Sequence, residues 1–285
     1  MPATQKQKRR RALGETPPDK HVLYQRSVQS VEPEIDFVDR TYLKLRGKRA
    51  SLLREDFCGT ANTSCEWVRR RATNHAVGVD LDAATLAWGI THNLGALSEE
   101  ERTRVTLERR DVLAARKQTG TRGYDCVLAM NFSYWCFKQR AQMLGYFKAV
   151  RASLAPGGVF FLDFYGGSDA HQVMKERRRI PAAGKAEPGF TYVWDQATYN
   201  PVTGAMTCYI SFDLRDGTKM ERAFRYEWRL WNLPELRDVL AEAGLRSTVY
   251  TEGDDGKGGG NGVFRPSEHN DADRAFICYI VAERS

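Results

Sequence analysis

The fold of this 285-residue chain is decided by an apolar segment that runs into a turn, Leu52-Leu53-Arg54-Glu55-Asp56-Phe57-Cys58-Gly59-Thr60-Ala61. A second apolar segment, residues 76–79, ends at Asp80, 21 residues after Gly59. This spacing fits one strand–helix–strand unit, in which a helix N-terminus and backbone N–H groups meet a polar ligand and a carboxylate binds a ribose diol. The segment therefore predicts a site for a nucleoside-containing ligand.

Apolar segments recur along the chain, and segments with helical periodicity lie between them. The predicted strands cover residues 51–53, 76–79, 105–107, 126–129, 159–162, 247–251 and 276–282. Five strand–helix alternations predict an α/β fold with a doubly wound sheet of parallel strands. With the last two strands added, we expect a seven-stranded, mostly parallel sheet.

Strand composition without intervening helices appears after the fifth predicted strand, at residues 190–194, 206–213 and 219–226. Asp216-Gly217 between the last two is typical of a hairpin turn. We expect an antiparallel β insertion at about residues 185–228, which forms a lid over an acceptor or packs its aromatic residues as ordinary strands do. Residues 253–262, rich in glycine and acids, are predicted to be a flexible loop.

The net charge of +7 is concentrated at the N-terminus, where Lys6, Lys8 and residues 9–11 supply five positive charges with no acid among residues 1–11. The rest of the chain carries only +2 (7 − 5), which argues against a broad nucleic-acid-binding face. We expect residues 1–20 to be a disordered basic tail and residues 21–285 to form one domain.

Membrane insertion and export are not indicated, because no apolar segment approaches the length of a membrane span and the N-terminus lacks an apolar core. The six cysteines form no C-x-x-C pair, so a metal site is not predicted and reduced thiols are expected. These features predict a soluble, cytoplasmic protein.

Five motifs in order resemble those of class I S-adenosylmethionine-dependent methyltransferases, over about residues 50–165 and 225–283. Glu55 matches the acid that ends the first strand, and Cys58-Gly59-Thr60-Ala61 matches the glycine-rich turn. The remaining matches are Asp80 after the second strand, Arg110-Asp111-Val112 after the third, Asn131-Phe132-Ser133-Tyr134 after the fourth and residues 154–158 before the fifth. Phe57 and Ala61 replace two usual glycines, which argues against a dinucleotide pyrophosphate but is compatible with a ligand that has no phosphate.

The resemblance implies that S-adenosylmethionine is the cofactor. Gly59 and the turn would hold its methionyl end with Glu55 near the ammonium, Asp80 would bind the ribose, and Asp111 would face the adenine. The candidate cofactor-binding residues are Tyr24, Arg54, Glu55, Cys58, Gly59, Thr60, Asp80, Leu81, Asp111, Val112 and Asn131. Which of Arg54, Glu55 and Asp56 faces the ligand stays open, because a shift of one residue in the strand exchanges its two faces.

The candidate acceptor-side residues lie at the ends of the fourth and fifth strands: Asn131, Tyr134, Asp163 and Tyr165. Residues 131–134 also resemble the Asn-Pro-Pro-Tyr signature of nucleic-acid amine methyltransferases, although both prolines are missing. No histidine lies at a predicted strand end, which favours an amine, thiol or carboxylate acceptor over a sugar hydroxyl. We expect methyl transfer to a small molecule. An RNA or protein methyltransferase and a non-catalytic binding subunit are the alternatives.

Overall fold

The computed structural model describes residues 18–115, 122–184, 187–256 and 259–285, and the chain divides into two units. Among the described residues, the large unit comprises residues 30–170 and 231–285, and the small unit comprises residues 18–29 and 171–230. Residues 1–17, which hold most of the predicted basic tail, lie outside the described residues. None of the helices in the described residues has the length and apolar character that crossing a membrane requires.

The α-helices in the described residues are α1 (Lys20–Ser27), α2 (Val31–Arg46), α3 (Asn62–Arg70), α4 (Ala83–Gly89), α5 (Glu99–Arg102), α6 (Arg140–Ser153) and α7 (Leu233–Glu242). The strands are β1 (Leu52–Asp56), β2 (His75–Asp80), β3 (Val105–Arg109), β4 (Tyr124–Ala129), β5 (Leu154–Gly166), β6 (Met174–Ile180), β7 (Phe190–Tyr199), β8 (Ala205–Leu214), β9 (Lys219–Arg229), β10 (Leu245–Asp254), β11 (Gly260–Pro266) and β12 (Phe276–Arg284). A π-helical turn, Ile90–Leu94, continues α4.

The large unit is built on an eight-stranded sheet with the order β11-β10-β12-β5-β4-β1-β2-β3. Strands β1 to β5 pair in parallel, and β12 runs antiparallel between β5 and β10. The predicted α/β fold with a doubly wound, mostly parallel sheet is therefore confirmed. Because the parallel strands β1 to β5 share one direction, their carboxyl ends meet at one edge, where ligands bind in open α/β sheets.

The sheet has one strand more than predicted, because residues 253–262 are not simply a loop. Strand β10 continues to Asp254, and β11 pairs with it in antiparallel fashion from Gly260. The N–H of Gly262 donates to Oε1 of Glu252 at 2.6 Å, so the acids that indicated a loop help to hold the hairpin. This part of the sequence prediction was wrong.

The small unit is a four-stranded antiparallel sheet, β6-β7-β8-β9, packed with α1. Its core contains Leu23 of α1 with Phe190, Ile210 and Phe212 of the strands. The predicted β insertion is confirmed, but it starts earlier than expected, at Met174, because β6 is missing from the sequence prediction. The segment Met-Lys-Glu-Arg-Arg-Arg-Ile lacks apolar alternation, since most of this edge strand is exposed.

Strand β1 separates its charged residues between the two faces of the sheet. Leu53 packs in the same core as Phe37 and Val38 of α2, and Glu55, two residues later, lies on that face. Arg54 and Asp56 lie on the other face, where Nε of Arg54 is 2.9 Å from Oδ1 of Asp56 and both side chains are fully buried. The hydroxyl of Tyr146 on α6 donates to Oδ2 of Asp56 at 2.9 Å. β1 therefore carries the buried Arg54–Asp56 ion pair on one face and Glu55 on the other.

We expect Asp56→Asn to lower the free energy of unfolding of the chain by about 3 kcal/mol, because it leaves the Arg54 charge buried without its carboxylate. Urea unfolding followed by circular dichroism measures the change. The matched control is Asp36→Asn, which removes an exposed partner of Arg70 and should cost less than about 1 kcal/mol. Equal effects of the two substitutions would contradict the structural role of the buried pair.

Candidate functional site

The turn after β1 keeps a left-handed backbone at three positions although only one of them is glycine. The φ angles of Phe57, Gly59 and Ala61 are 57°, 53° and 57°. Residues other than glycine seldom adopt this region, so the strain at Phe57 and Ala61 must be offset by neighbouring contacts. Ala61 then begins α3 as its N-cap. The turn is therefore left-handed at two positions that are not glycine.

Two glycines outside the turn let neighbouring elements approach it closely. A Cβ atom on Gly78 of β2 would lie 2.9 Å from Sγ of Cys58, and a Cβ on Gly89 of α4 would lie 2.5 Å from the carbonyl oxygen of Thr60. That oxygen also accepts a hydrogen bond from Nδ2 of Asn93 at 2.8 Å. The sequence prediction missed both glycines. For Gly78 a signal was available, because a glycine within a strand often marks close backbone approach.

The carboxylate of Asp80 joins the turn to the end of β2. Oδ2 accepts from the N–H of Gly59 and Oδ1 from the N–H of Asp82, both at 2.8 Å. Leu81 beside it is 63% exposed, an unusual position for a large apolar side chain at a strand end. The structure therefore brings together Gly59, Asp80 and Leu81, as the sequence predicts.

The third strand end lies next to Asp80, because the N–H of Arg110 donates to the Asp80 carbonyl oxygen at 2.9 Å. Asp111 is exposed and accepts from the N–H of Leu113 at 2.9 Å, so it caps the short 3-10 turn Val112–Ala114. Val112 is buried. The exposed carboxylate of Asp111 and the exposed side chain of Leu81 lie at adjacent strand ends. Such a pair of groups suits an adenosine.

Glu55 lies on the face of β1 opposite Arg54 and Asp56, and its role at the cofactor stays a prediction. Its Oε2 accepts from the N–H of Ser64 at 2.9 Å and from the Ser64 hydroxyl at 2.6 Å. Burial outweighs these bonds and raises the pKa of Glu55 to about 7. Arg54, by contrast, is enclosed with Asp56 on the other face, so we remove it from the candidate cofactor-binding residues.

Asp163, three residues before the end of β5, organises the turn after β4. Its carboxylate accepts from the N–H groups of Asn131 at 2.7 Å and Phe132 at 3.0 Å, and both residues have left-handed φ angles, 58° and 55°. Burial raises the pKa of Asp163 to about 7, although these N–H groups oppose the shift. Asn131 and Asp163 are therefore brought together, as predicted for the acceptor side.

Tyr134 and Tyr165 differ in their access to this region. The hydroxyl of Tyr134 donates to the carbonyl oxygen of Asp163 at 2.7 Å, and the side chain is fully buried. Tyr134 therefore supports the Asp163 backbone as a core residue, and we remove it from the candidate acceptor-side residues. Tyr165 is half-buried with its ring centroid 6.0 Å from that of Phe132, and its acceptor role stays a prediction.

Glu34 of α2 is a third buried acid in this region, and the sequence prediction did not find it. Its side chain is only 9% exposed, and its Oε2 has no hydrogen-bond partner among the described residues. Burial, followed by the charges of Asp163 and Glu55, raises the pKa of Glu34 to about 8. The available signal was an acid on the apolar face of a helix, adjacent to Ile35 and one turn before Phe37 and Val38.

Tyr24, predicted to bind the cofactor, lies in the small unit on α1. Its ring centroid is 4.9 Å from that of Phe224, and the aromatic residues Trp194, Tyr226 and Trp228 of the same unit have ring centroids 4.5–6.1 Å apart. These rings pack on one another within the unit, while the cofactor role of Tyr24 stays a prediction. The described residues contain no group of three or more His, Cys, Asp or Glu placed to hold a metal ion.

Comparison with known proteins gives matches among solved structures only. No family model matches the sequence, and no curated protein matches it. CalS10, an amino pentose methyltransferase from Micromonospora echinaspora solved with S-adenosylmethionine bound, is 19% identical, with a TM-score of 0.66 over 95% of this chain and 99% of its own. The chain has the fold of S-adenosylmethionine-dependent methyltransferases.

Two further structures agree with this assignment of the fold. An S-adenosylmethionine-dependent methyltransferase from Clostridium acetobutylicum is 16% identical, with a TM-score of 0.65 over 93% of this chain and 96% of its own. The sugar N-methyltransferase KedS8 from Streptoalloteichus is also 16% identical, with a TM-score of 0.63 over 94% of both chains. The resemblance seen in the sequence is thus confirmed at the level of the fold.

We expect the stability of the unliganded chain to fall as the pH rises, in part because of Glu34. A carboxyl group whose pKa is raised on folding contributes stability that is complete below the unfolded pKa, here about 4.5, and is lost as the pH rises through the folded pKa, about 8. Glu34→Gln removes this dependence, while Glu55 and Asp163 retain theirs in both proteins. The variant should therefore gain stability relative to the wild type between about pH 5 and about pH 8.5.

Urea unfolding of the two proteins across this pH range measures the difference. Glu32→Gln, an exposed acid in the first turn of the same helix, is the control and should follow the wild type. Parallel curves for Glu34→Gln and the wild type would show that the Glu34 carboxyl group does not change its proton affinity on folding.

Proposed function

We propose that this protein transfers a methyl group from S-adenosylmethionine to a small-molecule acceptor. The observation that carries the proposal is the link between the Gly59 N–H and the Asp80 carboxylate at the carboxyl edge of the sheet. Open α/β sheets bind ligands at this edge, so the link supports a nucleoside site there. The chain also has the fold of S-adenosylmethionine-dependent methyltransferases. We keep the cytoplasm as the proposed location and the lid as the proposed role of the β insertion.

Each group of S-adenosylmethionine has a candidate partner. Asp80 would bind the ribose diol, Leu81, Asp111 and Val112 would surround the adenine, and Glu55 with the backbone N–H groups of the turn would hold the methionyl end. Such charged and polar partners suit a ligand that carries an ammonium, a carboxylate and a hydroxylated ring. When bound, S-adenosylmethionine supplies a methyl group activated by its positively charged sulfur.

The chain's own contribution would be to position the acceptor and exclude water, since an in-line displacement depends mainly on proximity and alignment. Asn131, held by Asp163, and Tyr165 are the proposed acceptor-side residues. The buried acids Glu34, Glu55 and Asp163 weigh against a carboxylate acceptor, because like charges in a buried site repel one another. Amines and thiols are therefore the favoured acceptor classes.

Calorimetric titration of the full chain should give micromolar binding of S-adenosylmethionine and S-adenosylhomocysteine and none of NAD. Asp80→Ala should weaken this binding at least about tenfold, because it removes the ribose partner and the acceptor that fixes the Gly59 N–H. Asp36→Asn, an exposed acid on α2, is the control and should bind like the wild type. If neither compound binds to the folded protein, the methyltransferase proposal fails.

Removal of residues 1–17 separates the small-molecule proposal from an RNA or protein methyltransferase. A small-molecule enzyme should keep its cofactor affinity and turnover, because the tail adds only charge that would attract a polymeric substrate. Methyl transfer to a panel of amines and thiols, and to total RNA and protein extract, measures both. Activity on a polymer that disappears with the tail would favour the alternative.

A further inference from the structure

The first half of the turn between β1 and α3 is fixed by hydrogen bonds to β2. The N–H of Cys58 donates to the carbonyl oxygen of Val79 at 3.0 Å. The N–H of Gly59 donates to Oδ2 of Asp80 at 2.8 Å. Residues 60 and 61 follow these two bonds and lead into α3. The contacts of this second half therefore decide how the turn meets the helix.

A third element, the π-helical turn Ile90–Leu94, reaches the second half. Nδ2 of Asn93 donates to the carbonyl oxygen of Thr60 at 2.8 Å. At the other end of the same peptide unit, the N–H of Ala61 donates to the carbonyl oxygen of Cys58 at 2.8 Å. Both ends of this peptide unit are therefore held, and it leads into Ala61, which has a left-handed φ angle of 57°. A strained residue of this kind persists only where its surroundings determine its conformation.

The helix that ends in the π-helical turn brings two residues to the same oxygen atom. A Cβ on Gly89 would lie 2.5 Å from the carbonyl oxygen of Thr60, so the close approach requires glycine. Asn93, four residues later, donates its hydrogen bond to that oxygen. The N–H of Gly95 donates to the carbonyl oxygen of Ile90 at 3.0 Å, which is the five-residue spacing of a π-helix. Single π-helical turns of this kind are frequent at functional sites.

We propose that Asn93 is a positioning residue for the methionyl end of S-adenosylmethionine. The inference rests on the proposed function, in which the turn after β1 holds that end of the cofactor and the adenosine lies at the ends of β2 and β3. Asn93 acts through Thr60, because its hydrogen bond fixes the second half of the turn before the cofactor arrives. A turn that is ordered in advance loses less conformational freedom on binding, so the ligand binds more tightly. A nucleoside without the methionyl group gains nothing from this contact.

Calorimetric titration of the full chain with two ligands tests the assignment. S-adenosylhomocysteine keeps the amino and carboxylate groups of the methionyl end, whereas 5′-deoxy-5′-methylthioadenosine has the same adenosine and sulfur without them. Asn93→Leu keeps the branched shape of the side chain and removes the donor. We expect it to weaken the binding of S-adenosylhomocysteine about tenfold and to leave that of methylthioadenosine within about twofold of the wild type.

Thr91→Val is the matched control, because it removes another side-chain donor from the same π-helical turn. The exposed Thr91 hydroxyl donates to the carbonyl oxygen of Ala87 at 3.1 Å, within its own helix. Both ligands should bind to this variant as they bind to the wild type. Asn93→Ala removes the same donor and takes the place of Asn93→Leu if the larger side chain prevents folding.

The pair of ligands separates a role in positioning the cofactor from a role in the fold alone. A loss confined to S-adenosylhomocysteine supports the inference. Equal losses for both ligands would show that Asn93 only stabilises the fold, and an unchanged affinity for S-adenosylhomocysteine would show that its contact is not used; either result overturns the inference and leaves the proposed function standing. Failure of the folded wild type to bind S-adenosylhomocysteine overturns the proposed function and the inference together.

Discussion

The hydrogen bond from the Gly59 N–H to the Asp80 carboxylate is the interaction on which the candidate site depends. It joins the turn after β1 to the end of β2, and the N–H of Arg110 extends the link to the end of β3 through the Asp80 carbonyl oxygen. Three strand ends are thereby fixed relative to one another. Gly78 and Gly89 let β2 and α4 approach Cys58 and Thr60 of this turn closely, beside the left-handed residues Phe57 and Ala61.

The buried acids of the large unit are of two kinds, one paired with a cation and three without one among the described residues. Arg54 and Asp56 neutralise each other, and Oδ2 of Asp56 accepts from Nη2 of Arg54 and from the Tyr146 hydroxyl, so that pair serves the stability of the fold. Glu34, Glu55 and Asp163 have no such cation among the described residues, and each has a raised pKa. Buried acids with raised pKa values cluster at functional sites, so these three acids are candidate site residues.

The sequence predicts much of this architecture because its signals are local. Apolar segments followed by turns predict β1 to β5, and the spacing from Gly59 to Asp80 predicts that the two residues meet at the carboxyl edge of the sheet. The roles of Arg54 and Glu55 depend on strand register, which only the packing of α2 and α6 determines. β6 lacks apolar alternation because it is an exposed edge strand, and Glu34 lies on a helix far from every motif. Non-local contacts of this kind leave little trace in a single sequence.

Strand β5 meets its antiparallel partner only late in the chain, since Gly166 pairs with Phe276 and Val159 with Glu283. The whole of the small unit's sheet, from β6 to β9, is encoded between them. During synthesis, therefore, one side of β5 remains an open edge of unpaired N–H and carbonyl groups until β12 has been made. Open edges recruit other strands and promote aggregation, so the nascent protein is vulnerable as long as β12 is missing. The insertion lengthens that interval, and the synthesis of β12 ends it.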